Sequence, residues 1–262
     1  MLALIDGGRA ALAALRDHLA LAPRAGAHVA LDEVRLLAPV PRPRQNVICL
    51  GWNYRDHMAE SKAAKGDIQQ AKVPDALIVF TKAAACVCGP YDDVPRDPEI
   101  SKRLDWEVEL GVVIGRGGHK VAPEDALDYV FGYTVVNDIS ARELQKRHRQ
   151  FYLGKSVPNA CPMGPFIVTP DEIGDPQALR LCCRVNGETK QDATTAEQIF
   201  GIRETIATVS KSPALEPGDI IATGTPAGVG FARTPPEYLQ AGDVVECEVE
   251  NIGVLRNRIV AA

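Results

Sequence analysis

The sequence predicts a β-rich mixed α/β fold with few helices and a small N-terminal unit. Glycine and proline supply 22 and 19 of the 262 residues, and this turn-forming content argues against a helix bundle. Short runs of β-branched and other apolar residues recur from residue 46 to the C-terminus, whereas helical spacing is confined to a few segments. A stretch at 36–46 with alternating prolines predicts an extended connector between the two regions.

The N-terminal unit, with its proline-rich connector, is predicted to span residues 1–45. Leu12, Leu15 and Leu19 repeat at helical spacing, which predicts a helix over 9–21. The chain begins without a basic segment, and charged residues interrupt every apolar run near its start. We therefore expect neither a signal peptide nor a membrane span, and a cytoplasmic protein.

The main domain is predicted to span residues 46–262. Asn186 and Gly187 form a typical hairpin turn between two short strands. Helices are predicted over 53–64, 141–151 and 195–211. Strands are predicted at 46–52, 76–80, 107–115, 129–138, 165–169, 179–187, 219–224, 244–253 and 254–260.

Charge and cysteine content exclude several classes of protein. Lys and Arg number 29 against 34 Asp and Glu, so the net charge of −5 argues against binding to nucleic acid or to anionic membranes. The seven cysteines are scattered and form no CxxC motif. We expect them to be small buried apolar residues in a reducing compartment.

Three carboxylates form a candidate metal site. Glu107 and Glu109 are two residues apart in a predicted strand, so both project from the same face and repel each other. A divalent cation would remove that repulsion, and an oxygen-only set suits Mg²⁺ or Mn²⁺ better than zinc. The alternative is a solvated strand face. Asp138 ends the next predicted strand and is either a third ligand or, like Ser140, an N-cap for the helix beginning near Ala141.

Other candidate catalytic groups have similarly open interpretations. His57 and Glu60 are three residues apart in a predicted helix, as in a general base with its orienting carboxylate or in an ordinary surface pair. Lys155 could stabilise an enolate or carboxylate, or lie on the surface, and no phosphate-binding loop precedes it. The glycine-rich stretch 217–230 either brings backbone amides close to a ligand or is a structural loop.

Several motifs occurring in order make the combination specific. They are NYRDHMAE, LDWEVELGVVIGR, GYTVVNDISARELQ, GKS…CPMGPFIVT, VNGE…Q, LEPGDIIATGTPAGVG and GDVVECEVENIGVLRN. From about residue 46 to the C-terminus the chain resembles the fumarylacetoacetate hydrolase family. The resemblance implies a mixed β-sandwich roll, usually a homodimer, with one Mg²⁺ or Mn²⁺ per subunit.

The resemblance also implies roles for the candidate residues. The metal ligands would be Glu107, Glu109 and Asp138. His57 and Glu60 would activate water on a segment that closes over the substrate as a lid.

The resemblance further implies a substrate pocket. Lys155 would meet the bound oxoacid, and Arg142, Gln145, Thr225 and Tyr54 would bind substrate. The sequence departs from the family pattern at Thr194, where Asn is usual, and at Gln198, where Met is usual, so the pocket is expected to differ in shape.

The expected activity is metal-dependent hydrolysis of a carbon–carbon bond in a 2,4-dioxo acid of the acylpyruvate or fumarylpyruvate type. The same site could instead decarboxylate oxaloacetate or isomerise or hydrate a 2-hydroxydienoate from aromatic catabolism. A catalytically inactive oxoacid-binding protein is a further alternative. The expected partners are a small oxoacid substrate and a second copy of the chain, with no nucleic acid and no membrane.

Overall fold

Two mixed sheets form the body of the protein. The computed structural model describes residues 1–20, 29–64 and 73–262. Its strands are β1 (Val47–Gly51), β2 (Ile78–Lys82), β3 (Val87–Cys88), β4 (Val94–Arg96), β5 (Leu104–Asp105), β6 (Val108–Ile114), β7 (Val130–Asn137), β8 (Ser140–Ala141), β9 (Cys161–Val168), β10 (Arg180–Val185), β11 (Glu188–Thr194), β12 (Ile220–Ala222), β13 (Val244–Val249) and β14 (Gly253–Ala261).

The helices are short, and along the chain they lie before the first strand or between strands. The α-helices are α1 (Leu2–Asp6), α2 (Gly8–Ala20), α3 (Arg55–Ala63), α4 (Arg142–His148), α5 (Tyr152–Lys155), α6 (Pro170–Ile173) and α7 (Ile202–Val209). The 3₁₀ helices are Leu31–Glu33, Ala84–Cys86, Pro123–Tyr129, Thr195–Glu197 and Gly230–Ala232. Among the described helices, none is both long enough and apolar enough to cross a membrane.

The larger sheet has the strand order β2-β1-β12-β6-β7-β9-β3, and the smaller has the order β11-β10-β13-β14-β4. Every residue of β6 is buried, because both faces of its sheet are covered. On one face Leu110 and Val112 pack in a core that includes Leu181 and Cys247 of the smaller sheet. On the other face Val113 packs in a second core. The β-rich mixed fold predicted from the sequence is thus confirmed.

The second core includes the start of the chain. Ile5 of α1 is completely buried and belongs to the same cluster as Val40, Val47 and Cys49. Helix α2 buries none of its residues, and residue 21 of the predicted helix lies outside the described residues. The domain boundary near residue 45 remains a prediction. The expected burial of the cysteines is confirmed, since all seven are free thiols in buried positions, whereas the reducing compartment remains a prediction.

One predicted helix begins later than the sequence pattern indicates. The apolar spacing predicts helix over 195–211, yet α7 starts at Ile202. The Thr194 side chain accepts the Ala196 N–H and the Glu197 carboxylate accepts the Thr194 N–H, so a capping box closes a separate 3₁₀ turn. The prediction for 195–201 is therefore wrong.

Register brings the candidate residues to one end of the larger sheet. Val108 of β6 pairs with Asn137 of β7, so Glu107 and Asp138 lie side by side just beyond that pair. The Asp138 N–H donates to the Glu107 carbonyl at 2.9 Å. Ala222, the last residue of β12, pairs with Gly111, so the loop that follows β12 leaves the sheet at the same end.

Candidate metal centre and active site

The structure gathers three carboxylates into one buried cluster. Glu107, Glu109 and Asp138 are buried, and each offers an oxygen within 4.8 Å of the others. Glu107 and Glu109 are brought together by the two-residue repeat of an extended strand, and Asp138 by the register between β6 and β7. Ionised carboxylates only accept hydrogen bonds, so a buried set of three fits a hard divalent cation. It is the only cluster of this kind among the residues that the structure describes.

Two buried lysines hold the carboxylate of Asp138 between them. Lys155 Nζ lies 2.6 Å from Asp138 Oδ2 and 2.7 Å from Glu107 Oε2. Lys82 Nζ donates to Asp138 Oδ1 at 2.7 Å and to the Ile139 carbonyl at 3.0 Å. Helix α4 begins after Ala141 without a side-chain cap. The N-cap alternative for Asp138 is therefore wrong, and Lys155, only 2% exposed, is not a surface lysine.

The pKa values of the two glutamates diverge. Burial raises the pKa of Glu109 well above its usual value, and the charges of Asp138 and Glu107 raise it further. Burial also raises the pKa of Glu107, but the charges of Lys155 and Arg142 outweigh this and hold that pKa well below its usual value. In the described residues no lysine or arginine forms an ion pair with Glu109, which accepts the Gly224 N–H at 2.8 Å. Glu109 is thus the carboxylate whose charge a bound cation would compensate most.

The lysine pKa values shift in the direction that an acidic cluster imposes. Burial lowers the pKa of Lys155, but the charges of Asp138 and Glu107 outweigh it and raise the pKa above its usual value. Burial likewise lowers the pKa of Lys82, and Asp138 more than reverses this effect. Both lysines are therefore protonated cations at neutral pH.

Arg142 extends the cluster on the side of Glu107. Its Nη2 lies 2.7 Å from Glu107 Oε1, and its Nε donates to Asp105 Oδ2 at 2.8 Å. Its Nη1 donates to Gln145 Oε1 at 3.0 Å. The guanidinium lies 4.4 Å from the centre of the Phe231 ring, as in a cation–π contact. The structure thus places Arg142 against Glu107 of the cluster and Gln145 against Arg142.

His57 and Glu60 form a hydrogen-bonded pair on α3. His57 Nδ1 lies 2.8 Å from Glu60 Oε1, and the histidine is 6% exposed. The other oxygen of Glu60 accepts the Gly228 N–H at 2.9 Å, which fixes the carboxylate and holds α3 against the loop after β12. This partly buried pair therefore differs from a freely solvated surface ion pair. With Nδ1 engaged, Nε2 is the nitrogen that can exchange a proton with a ligand.

The two remaining candidates make their polar contacts within the protein. The Thr225 hydroxyl donates to the Val108 carbonyl at 3.0 Å and accepts from Gln191 Nε2 at 2.8 Å. Tyr54 is almost completely buried in the main core, and Gln198 Nε2 lies 3.5 Å from its hydroxyl. Their assignment to substrate binding remains a prediction.

Lys82 and Asp105 belong to the site but were missed as functional residues. The signal for Lys82 is a single cation two residues after the apolar run 76–80, where a surface strand would be expected to have several polar residues. The signal for Asp105 is an acid directly before the Trp106-Glu107 segment, at the start of an apolar strand where a buried carboxylate needs a partner. Neither signal identifies the partner residue.

Comparison with known proteins gives one family and consistent relatives. The sequence profile described as "Fumarylacetoacetate (FAA) hydrolase C-terminal" matches residues 46–260. The chain is 49% identical to oxaloacetate tautomerase YisK of Bacillus subtilis over 87% of this chain and 74% of that protein. It is 44% identical to the mitochondrial oxaloacetate tautomerase FAHD2A of Bos taurus over 99% of this chain and 79% of that protein.

A solved structure agrees with the sequence relatives. The fumarylacetoacetate hydrolase of Exiguobacterium antarcticum superposes with a TM-score of 0.80 at 44% identity, covering 93% of this chain and 83% of that chain. The three carboxylates of the cluster lie within residues 46–260, which the family profile matches.

Proposed function

This chain belongs to the fumarylacetoacetate hydrolase family, and from that premise we propose that it interconverts the keto and enol forms of a 2-oxo dicarboxylic acid of the oxaloacetate class. The observation that carries the proposal is the buried carboxylate cluster with the Lys155 ammonium against it, together with the hydrogen-bonded pair of His57 and Glu60 on α3. The identity to two oxaloacetate tautomerases supports this substrate class.

Glu107, Glu109 and Asp138 would hold one Mg²⁺ or Mn²⁺ per subunit. When bound, such an ion supplies a Lewis acid that binds the oxygens of a 2-oxo acid and favours the enolic form. The oxygen-only donor set and the uncompensated charge of Glu109 support this assignment.

The protein residues would carry the proton. Tautomerisation removes a proton from C3 of the substrate and places one on the 2-oxo oxygen, and the reverse reaction does the opposite. His57, oriented through Nδ1 by Glu60, would exchange the C3 proton through Nε2. The Lys155 ammonium would stabilise the negative charge that develops on the oxygen and would supply the proton there.

Four further residues would bind and orient the substrate. Arg142 contacts the cluster and Gln145 contacts Arg142, and the two side chains offer charged and amide groups suited to a carboxylate. Thr225 and Tyr54 would complete the pocket. Since Thr225 bonds to the β6 backbone, it would position substrate relative to Glu107 and Glu109 on that segment.

Carbon–carbon bond hydrolysis of an acylpyruvate is the second candidate function. The observation that favours it is the 2.8 Å bond between His57 and Glu60, because an imidazole oriented in this way can remove a proton from water. The similarity to the Exiguobacterium antarcticum hydrolase also supports it. Decarboxylation of oxaloacetate would use the same binding mode without the attack of water.

A substrate comparison distinguishes these reactions. Crystalline enol oxaloacetate is dissolved with enzyme and Mg²⁺ or Mn²⁺, and the enol ultraviolet absorbance is followed by stopped flow. Malate dehydrogenase with NADH reports the keto form, while lactate dehydrogenase and a CO₂ electrode report pyruvate and decarboxylation. We expect faster enol loss without pyruvate release. Enol loss at the uncatalysed rate with either metal would exclude tautomerisation, and pyruvate from acylpyruvate or fumarylpyruvate would favour hydrolysis.

The assignment of the proton-transfer base has its own test. We expect His57→Ala to lower kcat by roughly 100-fold or more, the usual effect of removing a general base. His119, which is exposed, provides the matched control His119→Ala. Full activity of the His57→Ala variant in the enol-absorbance and malate dehydrogenase assays would show that another group moves the proton.

A further inference from the structure

Asp105 accepts four hydrogen bonds although it is completely buried. Its Oδ1 accepts the N–H groups of Trp106 at 2.9 Å and Gly230 at 2.7 Å. Its Oδ2 accepts the Phe231 N–H at 2.9 Å and Arg142 Nε at 2.8 Å. Four donors saturate the acceptor positions of a carboxylate, so this side chain has a single favourable orientation.

One side of this network leads to the candidate metal centre. The guanidinium of Arg142, which Asp105 holds through Nε, places Nη2 at 2.7 Å from Glu107 Oε1. Because Arg142 is planar, fixing one of its nitrogens fixes the direction of the others. Asp105 therefore sets the direction of the Arg142 nitrogen that meets Glu107, without itself touching Glu107.

The other side leads to the helix that carries His57. Residues 228–231 form what we call the docking loop. Trp106 Nε1 donates to the Gly228 carbonyl at 3.2 Å, and the Gly228 N–H donates to Glu60 Oε2 at 2.9 Å. Glu60 in turn bonds to His57. The docking loop is thus hydrogen-bonded to Asp105 and Trp106, and it also bonds to Glu60 of α3.

Close backbone approach makes this contact specific. A Cβ at Gly230 would overlap the carbonyl of Glu237 and would lie 2.7 Å from Asp105 Oδ1. The Phe231 ring also covers the guanidinium of Arg142. The docking loop therefore touches both partners of the Asp105–Arg142 pair.

We propose that Asp105 is a positioning residue that couples the docking of α3 to the geometry of the metal centre. A single carboxylate sets both the docking loop, which receives Glu60, and Arg142, which holds Glu107. Displacement of either one strains the bonds of the other. This inference rests on the proposed function only in treating His57 and Glu107 as parts of one active site.

The test uses Asp105→Asn in the full-length protein. Asparagine keeps the size of the side chain, but its NH₂ group replaces one of the two carboxylate oxygens. Because each oxygen of Asp105 accepts two N–H groups, at least two of the four hydrogen bonds are lost. Asp219→Asn is the matched control. Asp219 is also buried and accepts the Glu216 N–H at 2.8 Å, but it precedes β12 and lies at the end of that strand away from the site.

Three measurements separate coupling from stability. We expect Asp105→Asn to speed hydrogen exchange of the α3 amides roughly tenfold in the presence of Mg²⁺ and oxalate, and to weaken Mn²⁺ binding in calorimetry by a similar factor. The kcat should fall more than KM rises, because the geometry and not the amount of bound substrate changes. Asp219→Asn should lower the Tm without these three effects. If both variants behave alike, the coupling role of Asp105 is wrong.

A second variant guards against misfolding of the first. Trp106→Phe removes the Nε1 bond to Gly228 and part of a buried ring but keeps the backbone N–H that Asp105 accepts, so it should speed α3 exchange several-fold while leaving Mn²⁺ affinity unchanged. Unchanged α3 exchange would overturn the docking part of the inference. Because exchange and Mn²⁺ binding need no turnover, they remain valid if the wild type fails to tautomerise oxaloacetate. In that outcome the proposed function is wrong, while hydrogen exchange and Mn²⁺ binding still show whether Asp105 couples α3 to the metal centre.

Discussion

Replacing Lys82 by methionine tests whether its ion pair with Asp138 stabilises the carboxylate cluster. Lys82 Nζ is completely buried, 2.7 Å from Asp138 Oδ1, and methionine preserves most of the apolar stem. The substitution removes one cation from a cluster of buried carboxylates and leaves the Ile139 carbonyl without its 3.0 Å donor. The folded protein should therefore become less stable, and most clearly when no metal is bound.

The expected size follows from what remains around Asp138. Breaking a buried ion pair by removing one partner costs about 3–5 kcal/mol. Since Lys155 still lies 2.6 Å from the other oxygen of Asp138, the low end of that range applies, about 3 kcal/mol. For a chain of this size the Tm should then fall by roughly 6–12 °C in EDTA. Saturating Mg²⁺ should reduce the loss, because the ion returns positive charge to the cluster.

Lys190→Met is the matched control for this prediction. Lys190 Nζ also contacts two carboxylates, Glu188 at 2.8 Å and Glu237 at 2.7 Å, but these side chains are 67% and 39% exposed. Water can solvate them after the change, so the cost should be about 0–1 kcal/mol. Differential scanning fluorimetry and urea unfolding, each with EDTA and with Mg²⁺, measure both variants. A loss for Lys82→Met no greater than for Lys190→Met would refute the reasoning.

Two further predictions concern metal binding and pH. Glu109→Gln should weaken Mn²⁺ binding in calorimetry by roughly 100-fold and abolish metal-dependent turnover, since the amide is a poorer ligand, whereas Glu246→Gln on the smaller sheet should change neither. Partial burial raises the pKa of Asp92, but the bonds from Arg35 and the Gly89 N–H outweigh this and lower it. The stabilisation by Asp92 is therefore present above its unfolded pKa near ~4 and is lost as pH falls below it. Asp92→Asn should cost about 1 kcal/mol in urea unfolding at pH 7, with a smaller difference from wild type at pH 3, and a pH-independent difference would contradict the assignment.

The sequence predicts the carboxylate cluster because its geometry is largely local. Glu107 and Glu109 share a face through the repeat of one strand, and Asp138 follows the strand that pairs with it along the chain. Only the register Val108 to Asn137 is additional information, and the apolar pattern of β6 and β7 restricts it strongly.

Lys82 could not be predicted in the same way because its partner is set by the order of the sheet. Asp138 lies 56 residues further along the chain, and three strands separate β2 from β7 in the larger sheet. The bond between Glu60 and Gly228 spans 168 residues and depends on how the loop after β12 meets α3. Single-residue signals, such as a lysine in an apolar run, mark these positions but carry no information about distance.

Local hydrogen bonding explains why the helix predicted from residue 195 begins only at Ile202. Ile199, Ile202, Ile206 and Val209 have helical spacing, but spacing does not report side chains that compete for backbone N–H groups. The capping box between Thr194 and Glu197 closes a short turn instead, and this leaves Gln198 free to reach Tyr54. The departure from the family pattern at Gln198 is thus a polar contact beside the proposed pocket.

Charge balance connects the metal, the lysines and the substrate class. With every group ionised, the centre contains four buried carboxylates and three buried or nearly buried cations, which leaves one net negative charge. These are Asp105, Glu107, Glu109 and Asp138 with Lys82, Lys155 and Arg142. A divalent cation reverses the sign to one net positive charge, and in a poorly solvated cluster that charge favours an anionic ligand. A 2-oxo dicarboxylate meets this requirement and becomes more strongly bound as negative charge moves onto its enolic oxygen. The same balance explains why loss of Lys82 should be felt most without metal, because only a proton on Glu109, whose pKa is raised, then offsets the missing cation.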